Sequence, residues 1–95
     1  MPSSKEYRDF VLEQLSLLGD ISVRPMMGEF LLYYAGTLFG GIYDDCLLVK
    51  KTGQNSKYLM REAVPYSGAK PMYLVEDMDD KKMLKNIVLD TCSEL

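Results

Sequence analysis

A chain of 95 residues, 47% apolar and 26% charged, has room for one modest core and no second, so residues 1–95 read as a single domain. A net charge of −3 argues against wholesale attraction to nucleic acid or to an anionic membrane surface. Met1 to Tyr7 holds no cationic stretch leading into an apolar run, and no apolar run is long enough to span a bilayer, so a cytoplasmic protein without membrane contact is expected.

The chain opens on Ser3-Ser4-Lys5-Glu6, a capping-box pattern with a glutamate three residues after a serine, and a helix is expected to begin there. Tyr7, Phe10, Val11, Leu15 and Leu18 follow at steps of three and four, forming one apolar stripe, and Gly19 is placed to end the helix in the left-handed conformation. Leu12 and Leu17 lie off that stripe; they either broaden the buried face or form a small patch for a partner. Asp20 to Met26 reads as a strand with Ile21 and Val23 on one face. Pro25 removes a backbone donor and points to an edge position.

Arg24 to Lys51 is the organising stretch. Gly28 suggests a bulge or positive φ that redirects the chain, after which Phe30, Leu32 and Tyr34 alternate with Glu29, Leu31 and Tyr33. Ala35-Gly36 supplies a turn into a strand over Leu38 to Tyr43, and Asp44-Asp45 supplies another into Cys46 to Lys50, which ends in two exposed lysines. Gly40-Gly41 inside a strand calls for the close approach of a helix, a sharp bend or space for a partner, with helix packing the plainest account.

Downstream, Thr52-Gly53 breaks the strand and Gln54 to Arg61 is expected to form a short helix, with Tyr58 and Leu59 available to dock. Glu62 to Pro71, with Pro65, Gly68 and Pro71, reads as a loop, and Met72 to Val75 as a last strand. The acidic run Glu76 to Asp80 suits the start of a closing helix over about 79–94, with Leu84, Ile87, Val88, Thr91 and Leu95 on its buried side. These elements predict an α+β domain in which a twisted antiparallel sheet of about five strands, centred on a meander, packs against an N-terminal and a C-terminal helix.

Chemistry is sparsely represented. There is no histidine and no Cys-x-x-Cys pair, so Cys46 and Cys92 are expected to be unpaired thiols, and Asp44 and Asp45 beside Cys46 oppose its ionisation. The acidic run lacks the glycine and distal glutamate of a calcium loop, and no phosphate-cradling glycine motif is present. No catalytic, cofactor-binding or metal-binding residue is therefore assigned, and a non-enzymatic protein is expected. The one asymmetry is charge: residues 50–70 carry Lys50, Lys51, Lys57, Arg61 and Lys70 against Glu62, whereas residues 76–95 carry six acids against three lysines. If those five cations gather near Tyr58, Tyr66 and Tyr73, they form a patch suited to an acidic protein or an anionic ligand; otherwise they only solubilise one face.

Arg24, Met26 and Gly28 in the order Arg-x-Met-x-Gly, then Tyr33, Gly36 and Asp44 with the Leu-x-Lys ending at Lys50, then Pro65, Tyr66, Gly68, Ala69, Lys70 and Pro71, resemble the TfoX N-terminal domain family, the Sxy-like regulators of bacterial competence. The resemblance covers almost the whole chain. Met27 stands where the family commonly has an aromatic, and Leu31 where glycine is frequent. Members that regulate competence genes carry a second domain resembling helix-hairpin-helix modules, which does not follow here; Met1 and the closing helix favour a stand-alone member over a piece cut at a domain boundary. The resemblance implies a regulatory domain in competence or transcription control that acts through protein contacts, with Lys50, Lys51, Lys57, Arg61, Tyr66 and Lys70 as candidate partner-binding residues. Direct nucleic-acid binding through residues 50–70 is the alternative. A homodimer through an edge strand, either the one after Gly19 or the one from Met72, is a third expectation.

Overall fold

Three two-residue turns fold residues 21–49 into a four-strand antiparallel meander, seen in a computed structural model that describes residues 3–95. Met1 and Pro2, and with them the reading placed on Met1, lie outside the described residues. The strands are β1 (Ile21–Met26), β2 (Glu29–Tyr34), β3 (Thr37–Tyr43) and β4 (Cys46–Val49). Met27-Gly28, Ala35-Gly36 and Asp44-Asp45 all have positive φ, from 49° to 85°. That double left-handed geometry matches the right-handed twist of the strands it joins, which is why tight hairpins favour it.

Two strands complete the sheet, β5 (Arg61–Ala63) and β6 (Met72–Val75), in the order β1-β2-β3-β4-β6-β5. Six strands form, where about five are expected. Residues 54–61 are not a helix: only Ser56–Tyr58 makes a 3-10 turn, Leu59 ends it at φ 55°, and Arg61–Ala63 pairs with β6. The open side of β6 supplies backbone partners that a short isolated helix lacks. As a result β6 is an inner strand, and the sheet edges are β1, as Pro25 suggested, and β5.

The two helices, α1 (Lys5–Gln14) and α2 (Lys81–Cys92), cover one face of the sheet. Val11, Leu15 and Leu18 from the first end of the chain and Leu84, Ile87 and Val88 from α2 meet Phe30, Leu32, Phe39, Ile42, Leu47, Val49 and Val75. Leu12 joins this core, whereas Leu17 and, against expectation, Phe10 and Leu95 are exposed. Phe10 sits at the rim of its stripe, tilted on Tyr7 with ring centroids 5.8 Å apart. Asp80 caps α2 by accepting from Met83 N–H, and Thr91 is buried as expected.

The cap of α1 falls one residue later than the Ser3 pattern implies. Ser4 accepts from Tyr7 N–H, because Ser3 is spent on the β-turns: its N–H and hydroxyl donate to the Glu29 carboxylate at 2.9 and 2.7 Å, and its Oγ accepts from Asp45 N–H. The helix also stops at Gln14, well before Gly19, which is not left-handed.

Gly40 and Gly41 answer to a neighbouring strand, not to a helix. A Cβ at Gly40 would stand 2.1 Å from the Leu48 carbonyl oxygen of β4, and one at Gly41 would stand 2.6 Å from the Phe30 carbonyl oxygen of β2. The ladder slips here, from Leu32 opposite Gly40 to Tyr33 opposite Leu38, leaving Phe39 as the extra residue of a bulge, turned fully into the core.

Candidate functional site

The face of the sheet away from the helices carries Leu31, Tyr33, Leu38, Tyr43 and Leu48. Between β5 and β6 the chain crosses this face as the Pro-Tyr-Ser-Gly-Ala-Lys-Pro segment. Gly68 at φ 87° and an Ala69 N–H to Tyr66 C=O bond fold that segment into a tight turn. Tyr66 lies tilted against Tyr43, centroids 6.4 Å apart, and Leu48 is buried. A groove of about 710 Å³ remains beside the segment. Leu31, Leu38, Gly40, Tyr43, Pro65 and Tyr66 line it together with Lys50, Lys51 and Lys70, and Lys50 stands beside Leu38, because its N–H donates to the Phe39 carbonyl at 2.8 Å.

Of the six candidate partner-binding residues, Lys50, Lys51, Tyr66 and Lys70 come together here, while Lys57 and Arg61 do not. The five cations do not form one patch, because Glu62 of the basic segment itself and two acids of the tail, Glu76 and Asp90, lie against three of them. Lys51 pairs with Glu62 at 2.9 Å and lies over the Tyr73 ring; Lys57 pairs with Asp90 at 3.1 Å; Arg61 pairs with Glu76 at 3.5 Å. Pairs this exposed add little stability, but they cancel charge. Among the described residues, Lys50 and Lys70 have no carboxylate within salt-bridge distance.

The family-motif residues divide by role. Gly28, Gly36 and Asp44 set hairpin geometry, Met26 closes β1 opposite Glu29, and the Arg24 guanidinium lies 5.9 Å from the Tyr33 ring centroid. Pro65, Tyr66, Ala69, Lys70 and Pro71 line the groove that Gly68 shapes. Leu31, Leu38 and Tyr43 went unnoticed as site residues; the signal was large apolar side chains on the strand face opposite Phe30 and Leu32.

Lys50 is held from behind. Asn55, fully buried, donates through Nδ2 to the Lys50 carbonyl at 2.7 Å and to Thr91 Oγ1 at 2.9 Å, and its Oδ1 accepts from Thr52 N–H at 2.9 Å. Tyr58 donates to Asp90 Oδ2 at 2.5 Å, so residues 52–58 are tied to α2 three times, at Thr91 by Asn55 and at Asp90 by Tyr58 and Lys57. Burial and that bond push the Tyr58 phenol up to about 12, while the Tyr58 hydroxyl and the Lys57 ammonium hold the Asp90 carboxyl below its ordinary value. Burial, with Tyr66 and Glu29 nearby, raises the Tyr43 phenol, which stays neutral in the groove. The Cys46 thiol is raised by burial first and by Asp44 and Asp45 second; Cys92 is raised by burial, and neither is in a disulfide.

A smaller hollow of about 300 Å³, bordered by Glu29, Tyr43, Asp44 and Cys46, adjoins the groove. Among the described residues no cluster of three or more Cys, Asp or Glu side chains is arranged to hold a metal ion, and no helix is long and apolar enough to cross a membrane. A family model described as TfoX N-terminal domain matches residues 13–93. No curated protein matches the chain.

Proposed function

Because the chain belongs to the TfoX N-terminal domain family, we propose that it is a non-enzymatic regulatory domain of competence or transcription control that works by contacting an acidic protein. The observation that carries this reading is the groove on the helix-free face, where Lys50 and Lys70 stand without carboxylate partners beside exposed Tyr66. An exposed tyrosine is the kind of side chain that protein-binding patches are enriched in, and two unpaired ammonium groups beside it favour a partner of negative charge. Duplex binding is disfavoured by the same count. Each phosphate neutralised contributes about 0.9 to the salt slope, so the two uncompensated cations of the groove by themselves support a slope near −2, against roughly six to ten contacts for an effective DNA binder.

The test is complementation. In cells lacking the protein, wild type should restore the altered transcript profile, and Lys50→Glu with Lys70→Glu should fail to do so while accumulating as a folded protein. Full restoration by the double variant would refute the reading. Duplex DNA binding measured by anisotropy at about 150 mM salt, if submicromolar and lost in the double variant, would instead promote direct nucleic-acid binding.

A further inference from the structure

The open edge of β1 is complementary to itself. β1 and β5 are the two edges of the sheet, and β1 is the longer, six residues against three. Its register against β2 fixes which backbone groups face outward. The two-residue turn makes Met26 and Glu29 a hydrogen-bonded pair, and such pairs alternate along the ladder, so Arg24 and Ser22 also bond to β2. The Ala35 N–H, donating to the Asp20 carbonyl at 2.9 Å, continues the same phase. Ile21, Val23 and Pro25 therefore turn their backbone groups to the open side. Pro25 has no N–H to offer there, which closes the edge at that end and leaves Ile21 and Val23 each with a donor and an acceptor.

The side chains match in the same way. Ile21 and Val23 are half-buried at the rim of the core, while Asp20, Ser22 and Arg24, on the opposite face, are exposed. Among the described residues, neither Asp20 nor Arg24 has an ion-pair partner. Turned antiparallel to itself about Ser22, the run Asp20-Ile21-Ser22-Val23-Arg24 sets Asp20 against Arg24, Ile21 against Val23 and Ser22 against Ser22. Each Ile21–Val23 pair then exchanges both backbone hydrogen bonds, and opposite charges stand directly across the strands. Neighbouring registers of the same hydrogen-bond phase lose this match. Centred on Val23, the Ile21 carbonyl faces Pro25 and Arg24 faces Ser22; centred on Ile21, Arg24 faces Leu18 and Ser22 faces Asp20. β5 offers nothing comparable: Arg61 and Glu62 are engaged with Glu76 and Lys51, and pairing about its middle residue opposes Glu62 to Glu62.

We propose that a second copy of this chain pairs with β1 about Ser22, joining two six-stranded sheets edge to edge with the helices of both on one side. The second copy covers the rim residues Ile21 and Val23 and gives Asp20 and Arg24 their counter-ions. The contact is short and each copy carries a net charge of −3, so the association is weak and the chain is a monomer when dilute. None of the residues lining the groove belongs to β1, so this dimer and the acidic-partner reading stand or fall separately.

The test is sedimentation equilibrium of the whole protein from about 10 µM to about 1 mM, where a dimer should form with a Kd at or below about 1 mM. Asp20→Arg and Arg24→Asp should each weaken it about tenfold or more, since like charges then face one another on both sides of the axis. Their thermal midpoints should match wild type, both side chains being exposed. The double variant, with the charges exchanged, should dimerise as wild type does. An equimolar mixture of the two single variants should form the mixed dimer, in which every charge again meets its opposite. Register is read by cross-linking. Ser22→Cys should link to its own copy on mild oxidation, because a non-hydrogen-bonded antiparallel pair brings Cα atoms to about 4.5 Å, within the roughly 4.4–6.8 Å of disulfides. Val23→Cys, offset from its copy along the strand, should not. The mass of the linked peptide separates these products from any involving Cys46 or Cys92. A chain still monomeric at about 1 mM overturns the proposal. So does a dimer that survives both single reversals, a failure of either the exchanged double variant or the mixture to dimerise, or a cross-link at Val23→Cys in place of Ser22→Cys.

Discussion

Replacing Asn55 by alanine should loosen the domain at the point where its groove is anchored. Alanine leaves the Lys50 carbonyl without the 2.7 Å donor and the Thr52 N–H without the 2.9 Å acceptor, whereas Thr91 Oγ1 keeps its bond to the Ile87 carbonyl at 2.7 Å. Two backbone groups are thus left unpaired around a residue with no solvent exposure. At about 1–3 kcal/mol for each such group, offset by the amide that need no longer be buried, the expected loss is about 2–4 kcal/mol. For a domain of this size each kcal/mol moves the midpoint by about 4–8 °C, so a drop of roughly 10–25 °C is expected in a thermal scan. Urea titration should show a lower midpoint with unchanged slope. Asn55→Asp separates hydrogen bonding from packing. It keeps the acceptor but turns carboxylate oxygens toward the Lys50 carbonyl, and burial there raises the folded-state pKa above the unfolded value of about 3.9. A raised folded pKa means stability that is complete below about pH 4 and falls as pH rises, so this variant should be closest to wild type in acid and weakest at neutral pH. A midpoint within about 3 °C of wild type for Asn55→Ala, or a pH-independent deficit for Asn55→Asp, would refute the account of this network.

Gly40→Ala should cost about 2 kcal/mol or more in chemical denaturation, since its Cβ would lie 2.1 Å from a backbone oxygen that cannot swing aside; an unchanged midpoint would mean the two strands separate freely. Gly28→Val or Gly36→Val, at φ 85° and 84°, should each lose about one to several kcal/mol through backbone strain alone. Asp90→Asn should destabilise near neutral pH, and the deficit should vanish in acid: a depressed folded pKa gives stability that is present above the unfolded value and lost as pH falls through the folded one. The raised Tyr58 phenol works in the opposite sense, its contribution holding below about pH 10 and disappearing as pH climbs toward about 12, which Tyr58→Phe should abolish. Thiol titration of the denatured, unreduced protein should count two free thiols, Cys46 and Cys92.

Local chemistry was legible in the linear chain. Gly28, Gly36 and the Asp44-Asp45 pair announced the hairpins because positive φ is a property of single residues, and the alternation of Phe30, Leu32 and Tyr34 announced the inner face because strand periodicity is equally local. The buried side of α2 followed from helical spacing for Leu84, Ile87, Val88 and Thr91. Tertiary pairing decided the rest. Whether Arg61–Ala63 is helix or strand depended on the open side of β6, and the purpose of Gly40 depended on a carbonyl of another strand. The basic character of residues 50–70 was plain in the sequence, yet which cations remain unpaired was not. That was set by Glu62, Glu76 and Asp90 arriving from β5, the end of β6 and α2, and Coulomb attraction depends on distance in space, which residue spacing along the chain does not specify.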